Sequence, residues 1–278
     1  MAREHDLAAQ LREADRDRYL ASLYAPEDKR ADLTALYLFN AEIAAVRERA
    51  REPLPGELRL RWWGDAIAAP AGQATGNPVA DGLRAAIERH RLPASVFEDM
   101  LEARMFDLYD DPMPDRATLE GYCGETASAL IQLSAVILDP DAAGAAAGAA
   151  GHAGCAQAIA GLLLRLPLHR QRGQCYVPAE LLAAAGTTRQ AFVSDTAGEA
   201  GARAVAAMAA LARDHLAMFE AEARALPKSL RPAFLPIAPT AAYLAAVERL
   251  GVRALTEPAS VSVLRRNFLI LSRALRGW

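Results

Sequence analysis

Apolar positions recur along most of the chain at steps of three and four, the spacing that gathers side chains on one face of an α-helix. No segment alternates apolar and polar residues for long enough to suggest a sheet. Cut by proline and glycine clusters, the pattern predicts helices over 5–24, 27–50, 57–69, 78–92, 94–109, 116–138, 151–169, 196–226, 228–249 and 258–276. The breaks carry turn chemistry. Pro53, Pro55 and Gly56 close the second segment, DDPMPD at 110–115 the fifth, and Asp139 with Pro140 the sixth. With no internal repeat and no linker-like stretch, the expectation is one all-α domain over residues 1–278.

Two segments are chemically uneven. Within 27–50, Leu33, Leu36, Tyr37, Asn40, Ala44 and Arg47 follow at helical steps, so Asn40 interrupts an apolar face and a hydrogen-bond partner in the core is expected for it. Within 258–276, Leu264, Phe268, Leu271, Leu275 and Trp278 make one apolar stripe, and Arg265, Arg266, Arg273 and Arg276 add positive charge. A core helix with a solvated basic edge is the default for such a pattern, and docking on a membrane surface or a partner protein is the alternative.

A hydrophobic content of 53% over 278 residues supports an extensive core, and the dominance of Ala and Leu over aromatics favours helices. A net charge of −3 provides no basic field, so no nucleic acid partner is expected. Cys123, Cys155 and Cys175 form neither a zinc motif nor a disulfide framework, and the charged N-terminal stretch has no apolar leader segment, which reads as a cytoplasmic protein. Residues 142–164 contain no Asp, Glu, Lys or Arg over a length that spans a bilayer, yet they are mostly Ala and Gly and read as a tightly packed internal helix. His5, His90, His152 and His215 are scattered without metal-ligand spacing. Asp107, Asp110, Asp111 and Asp115, interrupted by Pro112 and Pro114, read as a solvated turn.

Taken in order, YLASLYAPEDKR, ALYLF, LRWWGDAI, FDLYDDP, LEGYC, GCAQ and RGQCYVP resemble the squalene/phytoene synthase family of head-to-head prenyltransferases, over roughly Tyr19 to Pro178. The resemblance implies an isoprenoid-synthase helical bundle around a central cavity. Active members ionise an allylic diphosphate, and Mg²⁺ held by two aspartate-rich motifs on facing helices neutralises the leaving group. Here the first motif falls on Ala44, Ala45, Val46, Arg47 and Glu48, where only Glu48 keeps a carboxylate. The second falls on Arg165, Leu166, Pro167, Leu168 and His169, and no acid remains. Where the family has Y-C-x-R-x-A-G, this chain reads YCGETAS, with Glu125 in place of a phosphate-binding arginine and Ser128 in place of glycine. Asn40, Tyr122, Glu125 and Tyr176 are the expected cavity residues.

A degenerate branch of that family, a mitochondrial complex I (NADH dehydrogenase) assembly factor and its bacterial relatives, resembles the chain more closely, in FNAE at 39–42 and LRLPLH at 164–169. It implies a pseudoenzyme without metal or cofactor that assists assembly of respiratory complex I. The expected partners are complex I subunits or assembly intermediates, met on the cytoplasmic side at the periphery of the inner membrane. The alternatives are an active Mg²⁺-dependent prenyltransferase and a protein that holds a prenyl or lipid ligand without turnover. Arg165, His169, Arg170 and Arg172 then form a cationic helix end open to three readings. It is a metal-free anion site, a complement to the helix dipole, or a partner for an internal carboxylate, Glu48 or Glu125.

Overall fold

Every regular element among the described residues of the computed structural model, which covers 2–50, 52–70, 73–194 and 196–278 with side chains from residue 7 onward, is a helix. The chain opens with α1 (Ala2–Ala14) and α2 (Arg16–Ser22), parted at Asp15, whose carboxylate caps α2 by accepting from the Arg18 amide. Then come α3 (Glu27–Ala44), α4 (Val46–Arg49), α5 (Pro53–Ala68), α6 (Pro78–His90) and α7 (Ala94–Tyr109). Their apolar faces make a first core, in which Phe39 meets Trp63 and Phe97 edge-on, with ring centroids 5.1 and 5.6 Å apart. All three rings are fully buried, and burial of such a side chain stabilises by about 2 to 3 kcal/mol.

Next, α8 (Arg116–Cys123) passes through a π turn at 124–128 into α9 (Ala129–Leu138), and α10 (Pro140–Ala143) leads to α11 (Ala147–Leu164) and α12 (Leu166–Gln171). The remainder is α13 (Ala179–Ala184), α14 (Arg189–Val193), α15 (Gly198–Ala223), α16 (Arg231–Phe234), α17 (Thr240–Leu250) and α18 (Val263–Arg276). The small residues of α11 let it lie close along α15 and against the π turn, and a second core forms there. A β-carbon added at Gly154 would stand 2.3 Å from the Ser128 nitrogen and 2.4 Å from its α-carbon, so the contact is backbone to backbone and only glycine fits.

Several predicted boundaries move, each for a local reason. Pro53 and Pro55 lie inside the first turn of α5 rather than before it, because the first amides of a helix have no intrahelical acceptor to lose. Segment 27–50 breaks at Ala45, and segment 116–138 absorbs the π turn. Segment 151–169 starts earlier and breaks at Arg165. Pro167 has no amide proton for the Leu163 carbonyl, so α11 ends at Leu164 and Pro167 enters the first turn of α12. α13 and α14 have no counterpart among the predicted segments, since one or two turns carry no legible period. By length and composition alone, Pro140–Leu164 and Lys228–Leu255 are apolar enough to cross a membrane, and the share of an apolar 18-residue window of each that is buried inside the fold is 50% and 78%.

Candidate functional site

A cavity of about 800 Å³ opens between the two helix breaks, with α2, the π turn and the stretch leading into α18 completing its wall. Ala44, Ala45 and Glu48 reach it from the α3–α4 break, and Arg165, His169 and Arg172 from the α11–α12 side. Asn40, Tyr122 and Tyr176 also line it. Leu168, Arg170 and Glu125 do not. The cavity therefore gathers most, but not all, of the residues singled out in the sequence.

Glu48 and Arg165 form an ion pair across the cavity, joining the two breaks. Of the two carboxylates considered as internal partners for the cationic helix end, Glu48 is the one engaged. Glu125 is exposed instead. The wider π turn brings Thr126 and Ala127 to the cavity wall, and the Thr126 hydroxyl donates to the Tyr122 carbonyl at 2.6 Å. Ser128 donates to the Gly151 carbonyl at 3.0 Å.

The cationic cluster is not one cluster. Arg170 is buried and points away from the cavity, donating to the carbonyls of Phe192, Ser194 and Leu255, so it ties the C-terminal end of α14 to the turn at 255 and leaves the candidate anion site. His169 packs its ring on Tyr176 at 4.9 Å. Burial, followed by the nearby Arg165 and Arg172 guanidiniums, lowers its pKa to about 4, so it stands neutral at pH 7 and is no imidazolium. Arg172 lines the cavity and has no side-chain hydrogen bond or ion pair among the described residues. The turn after it closes with Gly173 in the left-handed region at φ +75° and the Gln174 amide donating to the His169 carbonyl at 2.9 Å.

That turn sends Gln174 and Tyr176 towards a residue misread from the sequence. Asp107 belongs not to a solvated turn but to the last turns of α7, only 6% exposed. Its carboxylate accepts from the Tyr176 hydroxyl at 2.7 Å, the Tyr122 hydroxyl at 3.1 Å and the Arg104 guanidinium at 3.2 Å, while Gln174 Nε2 donates to its backbone carbonyl at 3.1 Å. Burial, reinforced by the Asp107 carboxylate, pushes both phenols well above their ordinary pKa, so they keep their protons and donate. The available signal was register, since Asp107 follows the buried Met100 and Ala103 at helical steps. Of the other acids, Asp110 accepts from Arg47 at 3.1 Å, while Asp111 and Asp115 are exposed as expected, Asp115 also capping α8 by accepting from the Thr118 amide at 2.8 Å.

Asn40 overturns its own expectation. It is 8% exposed, and its side chain makes no hydrogen bond among the described residues, so this buried amide faces the cavity without a protein partner. At the opposite wall, Arg18 donates to Gln157 at 2.7 Å, Gln157 donates to the Pro236 carbonyl at 2.9 Å, and Tyr243 donates to Asp17 at 2.7 Å. None of these partnerships was expected. His152 and His215, scattered in sequence, meet at 3.0 Å, and His215 lies 3.0 Å from Glu120; the side chain of His5 is outside the described residues. Among the described residues, no three His, Cys, Asp or Glu side chains stand together as a metal ion requires.

Residues 11–266 match the model of the squalene/phytoene synthase family. The chain is 28% identical over 270 residues to NADH dehydrogenase (ubiquinone) complex I, assembly factor 6, of Bos taurus, covering 96% of this chain and 80% of that one. The Homo sapiens protein of the same name is 27% identical over 247 residues, with coverages of 88% and 74%. Among solved structures, a dehydrosqualene synthase superposes with a TM-score of 0.80 at 18% identity, over 98% of this chain and 95% of that one. The squalene synthase of Alicyclobacillus acidocaldarius follows at 0.72 and 21%, over 90% and 94%. These likenesses establish the fold as the all-α isoprenoid-synthase bundle expected from the motifs.

Proposed function

The chain belongs to the squalene/phytoene synthase family, and from that premise we propose that it is a non-catalytic member that assists assembly of respiratory complex I. The observation that carries the non-catalytic part is the Glu48–Arg165 pair, in which the carboxylate left at the first motif position is held by the cation standing at the second. Mg²⁺ takes oxygen ligands in a near-octahedral array. Around Glu48 the corresponding positions offer the methyls of Ala44 and Ala45 and the guanidinium of Arg165, so these residues do not fit that ion. Similarity to the assembly factors across nearly the whole chain supports the role in complex I. The partners proposed are its subunits or assembly intermediates, met on the cytoplasmic side of the membrane that carries the complex.

Deletion in the native host is expected to lower NADH dehydrogenase activity while squalene and carotenoid contents stay unchanged; the reverse result defeats the reading. Purified protein given farnesyl diphosphate with Mg²⁺ or Mn²⁺ is expected to release no diphosphate, and robust metal-dependent release would restore the enzyme alternative. A second reading, that the cavity holds a prenyl or lipid chain without turning it over, is supported by its volume. Organic extraction of protein purified under native conditions, followed by mass spectrometry, tests it. A stoichiometric prenyl or acyl compound is expected, and an empty extract rejects it.

A further inference from the structure

α18 inverts the arrangement expected of a core helix with a solvated basic edge. Ile270 is its one buried residue, and two of its arginines hold it to the fold: Arg266 donates to Asp17 at 2.7 Å, and Arg273 pairs with Glu220 at 3.1 Å with its guanidinium 4.7 Å from the centre of the Trp278 ring. The apolar edge is the solvated one. Leu264, Phe268, Leu271 and Leu275 are 82%, 66%, 44% and 72% exposed, and their spacing confines them to an arc of roughly 60° on a helix of 3.6 residues per turn. Arg265 and Arg276 flank this stripe, both exposed and without an ion pair among the described residues.

Where α18 ends, Arg276 also lines a second, smaller cavity of about 150 Å³, together with Arg224, Arg231, Phe234 and Trp278. Among the described residues, no Asp or Glu side chain lines it. Arg224 has no ion pair among the described residues, and Trp278 Nε1 is buried without an acceptor. From 258 to 278 the sequence contains four arginines and no Asp or Glu, in a chain whose net charge is −3.

We propose that α18 and this arginine pocket form a docking face for an anionic phospholipid surface. The stripe enters the interfacial layer, Arg265 lies among the phosphates, and the pocket at Arg224 and Arg276 receives one headgroup phosphate. Charge selects this occupant. A second copy of the same face would set Arg265 and Arg276 against their own kind, and a neutral apolar partner would leave the arginine pocket unmatched. A convex stripe also meets a fluid acyl layer without needing a groove of complementary shape. The proposal stands independently of the role in complex I.

Flotation of the full chain with vesicles of phosphatidylcholine alone, or enriched in phosphatidylglycerol, tests it directly. Binding to the anionic vesicles is expected to be at least about tenfold tighter and to weaken with salt. Replacing Arg265 and Arg276 together by Gln is expected to weaken it about twenty-five-fold, at roughly a factor of five for each arginine at an anionic surface. Leu264→Ser with Phe268→Ser is expected to lose about tenfold or more. Because these side chains are exposed, helicity and melting temperature should not change, which separates lost docking from lost folding. Arg224→Gln is expected to cut the anionic preference about fivefold, and an unchanged preference removes the pocket from the face. No binding to either vesicle, equal binding to both, or binding indifferent to the stripe and arginine variants overturns the proposal. So does self-association that Phe268→Ser abolishes in a protein that binds no vesicle.

Discussion

Arg104 and Asp107 meet at 3.2 Å inside the protein with side chains 15% and 8% exposed, whereas Arg165 and Glu48 meet across the same cavity with 59% and 35% exposed. The ionic groups are alike, but their surroundings are not. Around Asp107 two phenols and a guanidinium replace the water its oxygens gave up, so the network is stable as a unit and brittle to the loss of any member. Around Glu48 water remains available and screens the pair, so its removal is easily absorbed. The cavity floor thus holds its shape by a buried polar network that does not depend on what occupies the two motif positions.

The sharpest way to break this contrast is Asp107→Ala. It leaves a buried guanidinium and two phenols without their acceptor, and it should cost about 3 to 5 kcal/mol in urea or thermal denaturation. Next in size is a pH effect between the two regions. His169 has a folded pKa of about 4 against an ordinary 6.5, so between those values the unfolded chain binds a proton that the folded one refuses. Its contribution is complete above pH 6.5 and is lost as pH falls towards 4, amounting to about 3 kcal/mol at most. His169→Asn should flatten that part of the stability profile, and an unchanged slope would show that the group is not held neutral.

Tyr176→Phe removes one hydrogen bond to a charged acceptor and should cost about 1.5 to 3 kcal/mol. The smallest effect belongs to the exposed pair: Glu48→Gln or Arg165→Gln should change stability by less than about 1 kcal/mol, and by less still at high salt. If these variants cost as much as Asp107→Ala, the two regions would not differ in the way their burial implies.

Much of the site was legible because it sits at helix ends and turns, where local chemistry writes itself into sequence. RGQCYVP announced the turn that closes on Gly173, and Pro167 announced a disruption beside Arg165. Neighbouring residues of one type were less informative. Arg170 and Arg172 are two positions apart, yet one is consumed by backbone carbonyls in the core and the other lines the cavity. A helical step of 100° per residue separates their fates, and a break at Arg165 resets the phase from which that step is counted. Asp107 was hidden for a related reason, because the proline-rich turn beside it drew all four acids into one motif when the first still belonged to α7.

The amino-acid sequence by itself determined that the chain is helical, where most helices lie and which family pattern it follows. Each of these depends on interactions within a few residues, or on residue identity alone. Tertiary structure decided that Glu48 is the partner of Arg165, that Asn40 faces a cavity instead of a core acceptor, and that α18 turns its leucines outward. The residues of these pairs and tethers lie 117 positions apart for Glu48 and Arg165 and 249 for Asp17 and Arg266. Over such separations no local preference selects a partner, and only the packing of helices along and across one another brings the groups within reach.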